Sequence, residues 1–293
     1  MNTEEKVSQK FVEACGIRWH YVEAGMGEAV VFLHGLPESW FSWHHQIEEV
    51  SKGYHAIGVD LKGYGQSDKK EGDYSRKNVA KELICLFDVI GLNRFSLVTH
   101  DWGTLIGDFV ASSAPERIIK YIRMQCPLVK RDPSNHPQFV VFRDQELAKH
   151  IMADAKTFVS AVYEGGSLGT TDSESPESKL RTFKRTRQKI DPKDMEGIIT
   201  EFSRPGVAEA VPRYFRDIER EDREEVLDKF RRMTFPVLLL QGEYDPAMPL
   251  WYYDDFDRIL PNAKLQIVRD AGHFTELEKP DDVSKAILDF LAE

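Results

Sequence analysis

The chain has 293 residues, 39 Lys and Arg against 49 Asp and Glu, a formal charge of −10 and 41% hydrophobic residues. That composition describes a globular fold large enough for one core carrying an insertion, and its acidic balance argues against nucleic acid or an anionic membrane surface as partner. No apolar run approaches the roughly 20 residues that span a bilayer, and Met1 to Lys10 is polar rather than signal-like, so a cytoplasmic location without membrane contact is expected.

Taken in chain order, Phe11 to Glu13 and Ile17 to Glu23, joined through Gly16, predict an opening hairpin. Short β-rich runs follow at Ala29 to Leu33, His55 to Asp60, Phe95 to Thr99, Ile118 to Met124, Val237 to Gln241 and Lys264 to Val268. Helical stretches lie between or after them at Arg76 to Ile90, Thr104 to Ser113 and Asp281 to Ala292, the last announced by Pro280 and two acids in its first turn. The alternation is that of a mostly parallel sheet with helices on both faces, an α/β fold. It breaks between about Lys130 and Phe230, where strand signals vanish and charged, helix-compatible sequence takes over. We therefore expect a core in two parts, 1–129 and 231–293, around a helical insert at 130–230. Within the insert, Gly165 to Ser178 is rich in Gly, Ser, Thr and acids and predicts a flexible loop. Cys15, Cys85 and Cys126 are odd in number, far apart and free of CxxC spacing, so reduced, buried thiols are expected.

Four short segments carry the chemistry. Val98-Thr99-His100-Asp101-Trp102-Gly103-Thr104 runs from an apolar strand into a helix with small residues flanking a central Asp101, the form of a strand-to-helix elbow. Such a turn exposes its central side chain at the positive end of a helix dipole, which favours an ionised carboxylate. Taken alone, Asp101 reads equally well as a helix cap. His34-Gly35-Leu36-Pro37 follows another strand, and its Leu36 N–H together with that of Trp102 would form a two-donor oxyanion hole. Asp245 follows the strand beginning at Val237, and His273 follows the strand beginning at Lys264. Nucleophile, acid and base thus stand at strand ends in that order, and this joint occurrence, beyond any one motif, points to catalysis by Asp101, Asp245 and His273.

His34-Gly35-Leu36-Pro37-Glu38-Ser39-Trp40, Asp60-Leu61-Lys62-Gly63-Tyr64-Gly65-Gln66-Ser67, His100-Asp101-Trp102-Gly103 and Gly272-His273-Phe274 resemble the α/β-hydrolase superfamily. Within it they are most similar to soluble epoxide hydrolases, with haloalkane dehalogenases next. The resemblance implies an eight-stranded, mostly parallel sheet and a helical cap made by the insert. It further implies an alkyl-enzyme ester on Asp101 that water, activated by His273, hydrolyses to a diol or an alcohol. Epoxide hydrolases of this kind supply two cap tyrosines to the ring oxygen. Here Gln138 and Phe139 occupy the first place and Phe215 the second, with Tyr214 one position earlier and Tyr163 as a further candidate. The resemblance makes Tyr214 the expected proton donor. His34, Pro37, Trp102, Phe139, Tyr163, Phe215 and Phe274 are expected to line the pocket. The dehalogenase alternative would use the same three residues, but Leu36 offers no side-chain donor to a halide, and Trp102 stands where fluoroacetate dehalogenases carry Arg. A non-catalytic receptor on this fold is disfavoured because all three core positions are filled. A small apolar epoxide or halogenated substrate is expected, with no cofactor and no metal, the nine histidines showing no ligand spacing. The chain would act as a monomer or homodimer.

Overall fold

The computed structural model describes residues 7–128, 141–165, 190–218 and 223–293. Eight strands form one sheet: β1 (Ser8–Ala14), β2 (Ile17–Ala24), β3 (Ala29–Leu33), β4 (His55–Val59), β5 (Phe95–His100), β6 (Ile118–Met124), β7 (Val237–Gly242) and β8 (Ala263–Val268). Their spatial order is β1-β2-β4-β3-β5-β6-β7-β8. Only β2 runs against its neighbours; from β4 to β8 every pairing is parallel. The opening hairpin is longer than its apolar residues suggest, because β1 pairs through its polar positions Ser8 to Lys10 as well.

The central strands β3, β5 and β7 are buried along their whole length, as parallel strands covered on both faces must be. Alternation along each strand then divides the core. Val31, Leu33, Leu97 and Leu239 face one apolar cluster, and Val30, Phe32, Val98 and Leu238 face the other. The second cluster is closed by α1 (His44–Val50), through Ile47 and Val50, and by the C-terminal helix Pro280–Ala292, through Val283, Ile287 and Phe290. The first is closed by α2 (Arg76–Val89) and α3 (Asp101–Ser113). Ser75 caps α2, its side chain accepting from the Asn78 N–H. Helix α3 begins at Asp101 itself, three residues before the predicted start, because the elbow turns directly into the helix.

Between β6 and β7 the described residues form helices and no strand: α4 (Gln145–Ala153), α5 (Ala155–Gly165), α6 (Pro192–Phe202), α7 (Val207–Ala210), α8 (Pro212–Arg216) and α9 (Arg223–Arg231). Their apolar residues Phe142, Phe158, Phe202, Tyr214 and Phe215 join the cluster that contains Trp102, so this segment packs over the end of the sheet where α3 starts. Most of the predicted loop Gly165 to Ser178 lies outside the described residues. Completing the helices, α10 (Phe256–Ile259) precedes β8, while α11 (Thr275–Glu278) and α12 (Pro280–Ala292) follow it.

The expectation of three reduced, buried thiols needs correction. Cys15 and Cys85 form a disulfide with a Cα–Cα distance of 6.3 Å, and only Cys126 is a free, buried thiol. Cys15 sits exposed at the β1–β2 turn, which the sheet order brings beside α2. A separation of 70 residues carries no trace of that proximity in the sequence. No helix among the described residues is long and apolar enough to cross a membrane.

Candidate active site

The carboxyl ends of β3 and β5 are adjacent in the parallel part of the sheet, and β3 is also where the strand order reverses, with β4 on one side and β5 on the other. Open α/β sheets place ligands in the crevice at such a point. Asp101 follows β5 with φ 47°, in the left-handed region that non-glycine residues rarely adopt. Two glycines make the turn possible. An ideal Cβ at Gly103 would lie 2.4 Å from the Leu33 carbonyl oxygen, and one at Gly35 would lie 2.7 Å from Asp101 Oδ1. The loop after β3 and the elbow after β5 therefore touch without an intervening side chain.

That contact sets the electrostatics of Asp101. The Leu36 N–H donates to Asp101 Oδ1 at 3.0 Å, while Oδ2 faces Nε2 of His273 at 3.7 Å. On the far side of the ring, His273 Nδ1 meets Asp245 Oδ2 at 2.8 Å. Asp245 is buried and saturated with donors: Oδ1 accepts from the Ala247 and Met248 N–H groups at 2.7 and 2.9 Å, and Oδ2 accepts also from the Gln241 amide at 3.1 Å. Burial alone would raise its pKa, but His273 and these donors outweigh it and hold the carboxyl below its ordinary value. For His273 the balance runs the other way. Burial disfavours the imidazolium, yet the charges of Asp245 and Asp101 hold its pKa well above the ordinary histidine value. Asp101, Asp245 and His273, placed at three strand ends by the sequence, are thus brought into one hydrogen-bonded and charge-coupled set.

The pocket residues divide into those that face this set and those that serve the scaffold. Trp102 is buried, with its ring 5.7 Å from that of Tyr214 and 5.1 Å from that of Phe215, and Phe215 meets Phe142 at 5.0 Å. Tyr163 stacks on Phe274, the residue after His273, with centroids 3.9 Å apart. Its hydroxyl is buried and has no hydrogen-bond partner among the described residues. Burial, together with the nearby Glu38 and Asp101 carboxylates, raises the Tyr163 pKa well above that of a free phenol. Tyr214 is placed differently from what its predicted role needs. Its hydroxyl donates to the Lys62 carbonyl at 2.7 Å, and its ring packs among Tyr64, Tyr74 and Trp102. The helix that carries it presents Phe215, not Tyr214, to Phe142. His34 is also committed to backbone: Nδ1 donates to the Gly35 carbonyl at 2.9 Å and Nε2 accepts the Leu61 N–H at 3.0 Å. It shapes the loop and keeps a neutral ring, its pKa lowered by burial. Pro37 is buried behind a cis peptide bond with Leu36. Phe139 lies outside the described residues.

Several participants went unread in the sequence. Glu38 Oε2 accepts the Gly35 N–H at 2.6 Å and meets His100 Nδ1 at 3.0 Å, while His100 Nε2 donates to the His273 carbonyl at 2.9 Å. A second carboxyl, Glu276, completes the group, with ligating atoms of all three residues within 4.8 Å of one another and every side chain buried. Burial would raise both acids; His100, the Glu276 proton and the Gly35 N–H bring Glu38 down to about 2, whereas burial and the Glu38 charge push Glu276 well up. Glu276 therefore keeps its proton beside the Glu38 carboxylate. The group ties the loop after β3, the elbow after β5 and the loop that carries His273 together, as supporting hydrogen bonds do beneath a constellation of polar side chains. The Asp60 motif plays a similar part below the loop, accepting from the Trp40 and Gln66 N–H groups at 2.9 and 2.8 Å and meeting His20 at 2.7 Å. Among the described residues Tyr64 is the other buried tyrosine whose hydroxyl has no hydrogen-bond partner.

The model of the alpha/beta hydrolase fold family matches residues 28–280. Among curated proteins the chain is similar to the bifunctional epoxide hydrolase 2 of Mus musculus, at 26% identity over 94% of this chain and 54% of that protein. It is similar too to epoxide hydrolase 4 of Mus musculus, at 27% identity over 96% of this chain and 78% of that one. The chain spans about half the length of the bifunctional relatives. Among solved structures, an epoxide hydrolase from Vigna radiata superposes over 98% of both chains with a TM-score of 0.79 at 24% identity, which is a likeness of fold.

Proposed function

Because the chain belongs to the alpha/beta hydrolase fold family, we propose that it is an epoxide hydrolase working through a covalent ester on Asp101. The observation that carries this reading is the division of labour between the two oxygens of one carboxylate. Oδ1 is already held by the Leu36 N–H, while Oδ2 faces His273. A carboxylate attacks a saturated carbon without prior deprotonation, whereas attack on a carboxylic ester would give only an anhydride. Relatives named as epoxide hydrolases support the same choice.

In this reading Asp101 Oδ2 displaces the ring oxygen from the epoxide carbon, and Tyr163 gives the departing alkoxide its proton. Tyr163 takes this role in place of Tyr214 because its hydroxyl has no partner among the described residues, while that of Tyr214 is spent on Lys62. Esterification removes the negative charge facing His273 Nε2. The imidazolium then returns a proton to the tyrosinate and becomes a neutral base oriented by Asp245. It takes a proton from water, whose oxygen adds to the ester carbon. The Leu36 and Trp102 N–H groups receive the oxyanion on Oδ1, a contribution of roughly 3 to 4 kcal/mol per donor. Collapse releases the diol and restores the Asp101 carboxylate and the His273 imidazolium. The described helices between β6 and β7 form the cap, and the aromatic walls of Trp102, Phe215 and Phe274 favour a small apolar substrate. Halide displacement on the same machinery is not favoured, since Leu36 provides no side-chain donor for a halide.

A single turnover with excess enzyme in heavy-oxygen water tests the reading. The Asp101 peptide gains the isotope if the ester forms and water attacks its carbonyl carbon. Diol formation with an unlabelled Asp101 would refute it.

A further inference from the structure

Outside the catalytic set, His44, His45 and Asp194 bring three ligand atoms within 4.8 Å of one another. The histidines open α1 in the core, and Asp194 lies in the first turn of α6, 149 residues beyond His45, so the cluster spans the seam between the sheet domain and the inserted helices. His44 is buried, and its Nδ1 donates to the Phe41 carbonyl at 2.7 Å. That bond fixes the tautomer and leaves the lone pair on Nε2. Yet Nε2 points at Asp194 Oδ1, 3.2 Å away. A neutral ring would set acceptor against acceptor, so the gap is filled either by a proton on Nε2, giving an imidazolium–carboxylate pair, or by a metal ion that takes the lone pair. His45 Nε2 approaches the other oxygen, Asp194 Oδ2, at 2.8 Å.

We propose that His44, His45 and Asp194 form a binding site for a divalent transition metal, zinc above all, that clamps α6 to the start of α1. Two imidazoles and a carboxylate suit zinc, whose ligands at roughly 2.0–2.2 Å stand about 3.4 Å apart in a tetrahedron. The His44–Asp194 separation of 3.2 Å matches that spacing, and His45, with 35% of its side chain exposed, has room to move outward. The Phe41 carbonyl on His44 Nδ1 is the partner a metal-bound histidine usually carries on its second nitrogen. With three protein ligands, the fourth position falls on the exposed side of His45 and takes water. The site is a clamp and takes no part in the hydrolysis. The contacts around it agree: Phe41 stacks on His44 at 4.4 Å, and Gly197 of α6 lies so close to the Phe41 ring that an added Cβ would come within 2.1 Å of it. Metal binding therefore ties the inserted segment to the rim of the core at a place where the two already fit closely.

The test uses the full chain, stripped with a chelator. Cobalt(II) titration should give the ligand-field bands of a tetrahedral site at one ion per chain. Zinc should bind with the same stoichiometry in calorimetry and raise the melting temperature. His45→Gln and Asp194→Asn should each weaken zinc at least tenfold and abolish the thermal shift, while His150→Gln, an exposed histidine elsewhere, leaves both unchanged. No stoichiometric site in the wild-type chain, or undiminished affinity in His45→Gln and Asp194→Asn, would overturn the proposal.

Discussion

Replacing either of two tyrosines by phenylalanine should give opposite signatures, and the pair tests the assignment of the acid. Tyr163 buries a hydroxyl with no partner among the described residues, while Tyr214 donates to Lys62 at 2.7 Å. Leaving a buried polar group unsatisfied costs about 1–3 kcal/mol, whereas a typical hydrogen bond contributes about 0.5–1.5 kcal/mol net. Tyr163→Phe removes the unsatisfied group and keeps the ring on Phe274, so its stability should stay level or rise by about 1 kcal/mol. Tyr214→Phe loses a bond and strands the Lys62 carbonyl, which should cost about 1–2 kcal/mol. For a chain of this length each kcal/mol moves the melting temperature by about 2 °C. Activity should sort the other way: loss of a general acid lowers turnover by roughly 10²–10⁴. Epoxide turnover should therefore collapse in Tyr163→Phe and change less than tenfold in Tyr214→Phe. Paired calorimetric scans and diol assays on styrene oxide decide the matter. A Tyr163→Phe enzyme with full activity, or a Tyr214→Phe enzyme that is inactive yet undiminished in melting temperature, would refute the assignment.

Three further outcomes follow. His273→Gln should permit attack but stall hydrolysis, so intact-protein mass spectrometry should find a substrate-sized adduct on Asp101; a clean spectrum after substrate consumption contradicts the ester. Glu276→Gln keeps a donor beside Glu38 but cannot ionise. Since the folded-state pKa of Glu276 is raised, the wild-type chain loses stability as pH climbs above the unfolded value near 4.5, and the variant does not. Its melting temperature relative to wild type should therefore grow from pH 5 to pH 8, and a constant difference rejects the shared-proton arrangement. Finally, the denatured, unreduced chain should alkylate only at Cys126 and the reduced chain at all three cysteines; labelling of all three without reductant would show Cys15 and Cys85 unpaired.

What the sequence revealed and what it hid follow from the range of the interactions involved. The strands were legible because β3, β5 and β7 are buried on both faces and read as largely apolar runs. Asp101, Asp245 and His273 were legible because each stands past the carboxyl end of a parallel strand, β5, β7 and β8 in turn, where such sheets gather their chemistry. Tyr163 and Tyr214 could not be ranked, since that ranking depends on whether a hydroxyl meets a carbonyl 152 residues away. The same holds for the Cys15–Cys85 pair and for Asp194 facing His44. In each case the partners come from segments with no local periodicity in common, and only the tertiary packing brings them together. The buried Glu38, His100 and Glu276 group was hidden differently. Two of its members lie within motifs already recognised, and nothing in their local spacing shows that their side chains turn inward.

The charge arrangement also explains why the two chemical steps of the proposed reaction occur in order. In the resting protein His273 is held as an imidazolium by Asp245 on one nitrogen and Asp101 on the other. An imidazolium cannot accept a proton, so water is not activated while the nucleophile is still ionised. Carboxylate attack neutralises Asp101, and of the two charges that held the proton on His273 only Asp245 remains. The base becomes available only once there is an ester for the water it activates to attack. Had a carboxylate that stayed charged throughout faced His273 Nε2, the ring would remain protonated and the ester would persist. The 3.7 Å between Asp101 and His273 is therefore suited to timing: short enough for the carboxylate to set the charge of the ring, and long enough to be a weak hydrogen bond at most, leaving Oδ2 accessible to carbon.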